Sequence, residues 1–340
     1  MTRMMASQES TISLSIIVPV YNRPAELDEL LRSLSLQTDR NFEVIIVDDG
    51  SAVKCDQVVE NYRTLLNIKY YYKENTGPGL TRNYGAERAG GNYTIYLDSD
   101  CVLPNHYVST VLNSLSRNYV DAFGGPDSAD QNFSVQQKAI NYAMTSFFTT
   151  GGIRGGGEKL DKFHPRSFNM GFSKKVFEKT GGFPSFRFAK NLAAGEDLDL
   201  SIQIGKLGFK TALIKDAYVF HKRRTNFKQF FNQVFNFGYA RISIYKRHPE
   251  SLKLFHFLPA VFFIGCIGLV MASVFISIYF LTPLIFFMLI VFADSTLRNR
   301  SLIIGAISVY ASFIQLFGYG AGFLKSFWQK VIFSKVIGAS

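Results

Sequence analysis

The pattern of hydrophobic and polar positions divides the chain into two regimes. In the first half, short strand-like runs alternate with helical stretches. Leu14–Val18 reads as a β-branched strand ended by Pro19. Glu26–Leu36 has helical spacing, with Leu27, Leu30, Leu31 and Leu34 on one face. Phe42–Val47, Ile68–Tyr72 and Tyr93–Leu97 read as further strands, and Leu80–Ala89 as a helix closed by Gly90-Gly91. Such alternation predicts an α/β fold with a mostly parallel, doubly wound sheet. Ligands of these sheets bind beyond the carboxyl ends of the strands. Here those ends carry Pro19-Val20-Tyr21-Asn22, Asp48-Asp49-Gly50-Ser51 and Asp98-Ser99-Asp100.

The pattern loosens between about Gly124 and Phe220. Gly151–Gly157 holds five glycines around Ile153 and Arg154 and reads as a flexible loop, with a lid near substrate as the other reading. No phosphate-binding glycine motif aligns on it. The last third changes solvent. Leu258–Ala293 has no charged residue and is far longer than a hydrocarbon core of about 30 Å requires. Thr282-Pro283 inside it suits a hairpin turn, and Ser301–Leu324 is a second charge-free run. Two or three membrane segments are expected, at about 258–281, 283–297 and 301–324, with the third either spanning or lying in the interface. The predicted organisation is a catalytic domain over 1–225, a basic amphipathic helix over 226–253 and a transmembrane helical region over 254–340.

Composition supports this division. Of 340 residues, 47% are hydrophobic and only 19% charged. The net charge is +11, and a dense basic stretch runs from Lys222 to Lys253 beside the apolar tail. Its position points to an anionic leaflet as the partner and away from nucleic acid. The basic tail Lys325, Lys330 and Lys335 favours a cytoplasmic C-terminus. The three cysteines, Cys55, Cys101 and Cys266, have no metal-type spacing, and an odd count argues against a disulfide framework. The Ile12–Val20 run is short and contains Pro19, so it does not read as a signal peptide.

The acidic residues carry the chemistry. Asp98 and Asp100, two positions apart at a strand end, suit a hard divalent cation that also binds a diphosphate. The alternative is a solvated turn. Glu196 and Asp197 open a helix-like stretch, where acids are often only caps. Transfer to a hydroxyl needs one carboxylate as base, and adjacent residues would not both face the acceptor. His221 follows the Ala217–Phe220 strand and would complete a metal site built on one carboxylate, unless it is structural.

Over roughly Ser13–Arg247 the chain resembles the family 2 glycosyltransferases, which have the GT-A fold. Ser15–Asn22, Val47–Ser51, Thr81–Gly85, Leu97–Asp100 and Gly195–Asp197 match that family's motifs in order. The resemblance implies that Pro19, Tyr21 and Asp49 hold the nucleoside, that Asp98 lies near the ribose, and that Arg82 and Asn83 make nucleotide-side contacts. It implies that Asp100 binds Mg²⁺ or Mn²⁺ with the diphosphate of a nucleotide sugar, with His221 as a further contact. Asp197 matches the catalytic base, with Glu196 beside it. Asn169–Phe172 and Gly181–Phe183 resemble the acceptor-side segment.

The QxxRW motif of processive synthases is absent: the comparable stretch is Gln233-Val234-Phe235-Asn236-Phe237, which argues for single-sugar transfer. The expected protein is a multi-pass, inner- or plasma-membrane enzyme with its catalytic part cytoplasmic. It would transfer one sugar with inversion to a glycan or lipid-linked acceptor. A sugar nucleotidyltransferase would need a glycine-rich basic loop after the first strand, and Tyr21-Asn22-Arg23-Pro24 lacks the glycines. A non-catalytic membrane scaffold would have lost the acidic set, which is present.

Overall fold

The structure, a computed structural model, describes residues 12–128, 133–151, 163–184, 195–222 and 224–332. Most of the Gly151–Gly157 loop, Arg223 and Lys335 lie outside the described residues. In chain order the elements are β1 (Leu14–Val20), α1 (Pro24–Ser35), β2 (Phe42–Asp48), α2 (Asp56–Glu60), β3 (Ile68–Tyr72), α3 (Pro78–Ala86) and β4 (Tyr93–Leu97). Then follow β5 (Cys101–Val102), α4 (Tyr107–Arg117), β6 (Ala122–Gly124), β7 (Asp127–Ser128), α5 (Val135–Thr145), α6 (Phe147–Thr150), β8 (Asn169–Ser173) and α7 (Lys174–Thr180). The chain continues through α8 (Glu196–Lys206), β9 (Thr211–Leu213), β10 (Val219–His221), α9 (Phe227–Arg247), α10 (Leu258–Phe275), α11 (Thr282–Asn299) and α12 (Leu302–Phe327).

These elements form two units. The first comprises the described residues of Met1–Asp127, His164–Pro184 and Gln203–Phe220. Its main sheet has the order β3-β2-β1-β4-β8-β6-β9. β1 pairs in parallel with β2 and β4, and β2 with β3, whereas β8 runs antiparallel between β4 and β6. β1 and β4 read as apolar runs because both faces are covered, whereas β3, at the edge of the sheet, is partly exposed. Leu27, Leu30, Leu31 and Leu34 of α1 and Val108, Val111 and Leu115 of α4 join Ile16, Val18, Val44 and Ile95 in one buried core. β1 does not stop at Pro19. It continues to Val20, opposite Asp48. The Val20 carbonyl accepts from Asp49 N at 2.8 Å, so Val20 faces β2 and Pro19 faces the β4 side. The β1–β4 ladder has already ended at Ile17, so the N–H that proline lacks is not needed there.

The second unit comprises the described residues of Ser128–Phe163, Ser185–Ile202 and His221–Ser340. It is helical, and its C-terminal part has three helices long and apolar enough to cross a membrane: Leu254–Phe275, Ile278–Asn299 and Leu302–Ile332. α9 lies along the last of them. A Cβ on Gly238 would run into the Tyr319 carbonyl oxygen, and one on Gly322 into that of Phe235. Small residues thus let the two backbones approach closely. Phe230 and Val234 of α9 pack with Ala139, Ile140 and Ala143 of α5 and with Ala311 of α12. The apolar stripe of α9 is therefore buried largely against protein. Phe231, at 39% exposure, lies at its edge.

Candidate active site

Three parallel strands of the first unit end at one edge of the sheet. Val20 is level with Asp48, and Ile17 with Tyr96, so the turn after Leu97 leaves beside the ends of β1 and β2. This brings together Pro19, Tyr21, Asp48, Asp49, Asp98 and Asp100. Tyr21 is half exposed.

The loops are tied to one another by side chains. Asn22 has a left-handed backbone (φ 55°), which asparagine tolerates. Its N–H donates to Ser51 Oγ at 2.8 Å, and Ala52 N donates back to its Oδ1 at 2.8 Å. Asp48 accepts from Ser51 N at 2.9 Å and from the Tyr70 hydroxyl at 2.8 Å. Asp49 accepts from Thr76 N and Gly77 N, each at 2.9 Å, and pairs with Lys73. Asp49 therefore shapes the loop that leads into α3. Burial, and then the neighbouring Asp48, pushes the Cys55 thiol up to about 12. Burial with Asp100 and Asp98 pushes the Cys101 thiol up as well. Neither is poised as a thiolate nucleophile.

The two carboxylates after β4 each meet an arginine. Arg82 is buried and pairs with Asp98 at 2.6 Å, its guanidinium 5.2 Å from the Phe183 ring centroid. Asp100, only 7% exposed, pairs with Arg23. Burial opposes the Arg23 charge, but the attraction of Asp100 outweighs it and raises the guanidinium's pKa. Sequence reasoning missed Arg23. It stands one residue past the first motif and one before the proline that opens α1, and spacing alone did not link it to Asp100. Asn83 Nδ2 donates to the Phe183 carbonyl at 2.7 Å, and its Oδ1 accepts from Phe183 N at 2.8 Å. It holds the Gly181–Phe183 turn. Asn169 lies in a central strand, where it accepts from the Tyr107 hydroxyl at 2.6 Å and donates to the Ala217 carbonyl at 2.8 Å.

The other expected site residues belong to the second unit. Glu196 and Asp197 are the first two residues of α8, both half-buried. His221 is the last residue of β10 and the point at which the second unit begins. β10 adjoins β5, the strand that follows Asp100.

Residues 15–181 match the profile of Glycosyl transferase family 2. Over those residues the chain is a family 2 glycosyltransferase domain. Two relatives illustrate the match. The poly(ribitol-phosphate) β-N-acetylglucosaminyltransferase TarS of Staphylococcus aureus is 42% identical over 90 residues, 25% of this chain and 16% of its own. The GalNAc(5)-diNAcBac-PP-undecaprenol β-1,3-glucosyltransferase of Campylobacter jejuni is 32% identical over 114 residues, 33% of this chain and 37% of its own. Alignments with these and other curated relatives span between 15% and 44% of the relatives' length. Among solved structures, the Pyrobaculum calidifontis mannosyltransferase PcManGT, in complex with GDP-Man and Mn²⁺, superposes with a TM-score of 0.65 at 16% identity. That match covers 95% of this chain and 89% of the neighbour. These likenesses establish the GT-A fold.

Proposed function

We propose that this family 2 glycosyltransferase moves a single sugar from a nucleoside diphosphate sugar to an acceptor hydroxyl at a membrane, with inversion at the anomeric carbon. The observation that carries the reading is the clustering of Tyr21, Asp49, Asp98 and Asp100 at the carboxyl edge of β1, β2 and β4, where ligands of such sheets bind. The GDP-Man bound to PcManGT supports a nucleotide sugar as donor, and the named activities of the relatives support a lipid-linked or poly(ribitol-phosphate) acceptor.

In this reading Pro19, Tyr21 and Asp49 line the nucleoside, Asp98 meets the ribose and Arg82 orients Asp98. Asn83 contributes by holding the Gly181–Phe183 turn. Asp100 and His221 would hold Mg²⁺ or Mn²⁺. The residues fit such an ion: a carboxylate is a hard oxygen donor, and Asp100 already accommodates one cation, the Arg23 guanidinium. Bound there, the metal would neutralise charge developing on the departing diphosphate. Asp197 takes the proton of the acceptor hydroxyl as that oxygen attacks the anomeric carbon. The C–O bond to the diphosphate breaks on the opposite face, so a single displacement inverts the configuration. The apolar helices would cross the inner or plasma membrane more than once. The basic residues beside them would face an anionic, cytoplasmic leaflet.

Chelation should abolish transfer, and Mn²⁺ or Mg²⁺ should restore it. Asp100→Asn should lower the rate by about 100-fold or more with the fold intact by circular dichroism. Full activity in excess chelator would remove the metal from the mechanism.

A further inference from the structure

We infer that Asp199, Arg247 and His248 are positioning residues that hold the Asp197 turn of α8 against the C-terminal end of α9. The inference rests on the reading of Asp197 as the base.

α8 opens with three acids in its first turn: Glu196, Asp197 and Asp199. Acids there complement the helix dipole, but the dipole does not explain burial. Asp199 is 0% exposed. Its Oδ1 accepts from Arg247 Nε at 2.7 Å and lies 2.9 Å from His248 Nε2, while Arg247 Nη2 reaches Oδ2 at 3.4 Å. A fork-shaped guanidinium on both oxygens fixes orientation as well as distance. Burying such a carboxylate is costly unless it is paired, so Arg247 and His248 help to keep Asp199 in place.

The helical repeat then orients the base. Two residues correspond to about 200° of rotation, so Asp197 and Asp199 point to nearly opposite sides of α8. With Asp199 fixed towards α9, Asp197 is turned away from it. Two further contacts fix the same turn. Gly195 has φ +96°, and a Cβ there would lie 2.8 Å from Ile244 Cδ1, so the residue before Glu196-Asp197 lies directly on α9. Leu198 and Ile202 pack on Ile244. α9 is in turn locked along α12 by the Gly238 and Gly322 contacts. The turn bearing the base is thus mounted, through α9, on a helix able to span a membrane.

The test uses the full-length protein and a nucleotide sugar from which the wild type releases nucleoside diphosphate. Arg247→Met should lower kcat by about 10- to 100-fold, because a small displacement of a base from its substrate has effects of that size. The KM for the donor should stay within about two-fold. Arg247→Lys should recover part of the loss, and His248→Gln should give a smaller loss of the same kind. Hydrogen exchange should rise at the amides of 197–202 in Arg247→Met and stay unchanged in β1 and β4. A normal kcat in both Arg247→Met and His248→Gln overturns the inference, as does a loss confined to donor KM. If Arg247→Met does not fold, His248→Gln and its exchange pattern decide. Asp197→Asn separates the two claims. If it remains active, the base assignment fails; if it is inactive while Arg247→Met is normal, only the positioning role fails.

Discussion

Side chains at the mouth of the sheet divide into those presented to a ligand and those that build the loops. Tyr21 is exposed, whereas the Asn83 amide is committed at both ends to the backbone of Phe183. Asn83→Ala removes partners from one N–H and one C=O in a partly buried turn, and should destabilise the first unit by about 1–3 kcal/mol. Thermal melts check the direction: the midpoint should fall, and a variant as stable as the wild type would show the turn to be held by other contacts. Glu43 makes a complementary pH prediction. Burial opposes its charge, but hydrogen bonds from Lys69, Ser15 and Gly90 N outweigh this and lower its pKa. A depressed carboxylate contributes stability above its unfolded pKa of about 4.3, and that contribution disappears as pH falls through the folded value. Glu43→Gln should therefore flatten the loss of stability on acidification below about pH 4, as read from denaturant melts at several pH values. An unchanged acid limb would contradict it.

At the level of elements, α9 and α12 approach each other closely at their glycines. Replacing Gly322 by Leu puts a side chain where the Phe235 carbonyl sits. It should cost about 3 kcal/mol or more, because backbone cannot yield as a side chain does. Protease sensitivity of α9 in detergent should rise, and resistance equal to the wild type would mean the helices are not held together there. Much of the element order is legible in the chain. Ile68–Tyr72 and Tyr93–Leu97 are strands with the bounds that their patterning predicts: the second is a fully buried apolar run, and the first is a β-branched and aromatic run at the sheet edge. Two features are not legible for physical reasons. β8, Asn169–Ser173, is polar at both ends and holds a glycine, so nothing local marks it as a central strand; its place follows from antiparallel pairing with β4 and β6. The Phe-rich face of α9 has the same spacing whether it meets lipid or protein, and its packing on protein follows from the facing glycines of α12 and the apolar side chains of α5. That Asp98 and Asp100 follow a strand end is legible from the pattern. The Arg23 and Arg82 partners depend on tertiary contacts that spacing does not encode.

For the whole molecule, two units carry different parts of the proposed reaction. The first contains Tyr21, Asp49, Asp98 and Asp100, and the second contains Asp197, the proposed base, together with the three apolar helices. Full-length protein should fractionate with membranes and resist alkaline carbonate, since a span of about 20 apolar residues is held by the hydrocarbon core and not by charge. Release by carbonate would mean that these helices do not span. The central claim is that this chain moves a sugar from a nucleotide donor using Asp197. The most direct measurement incubates purified full-length protein, wild type and Asp197→Asn, with a membrane extract and a panel of nucleoside diphosphate sugars, and follows nucleoside diphosphate release. The account predicts release from at least one donor by the wild type and near-complete loss in Asp197→Asn, with nucleotide binding retained by titration. Equal release by both proteins would contradict it.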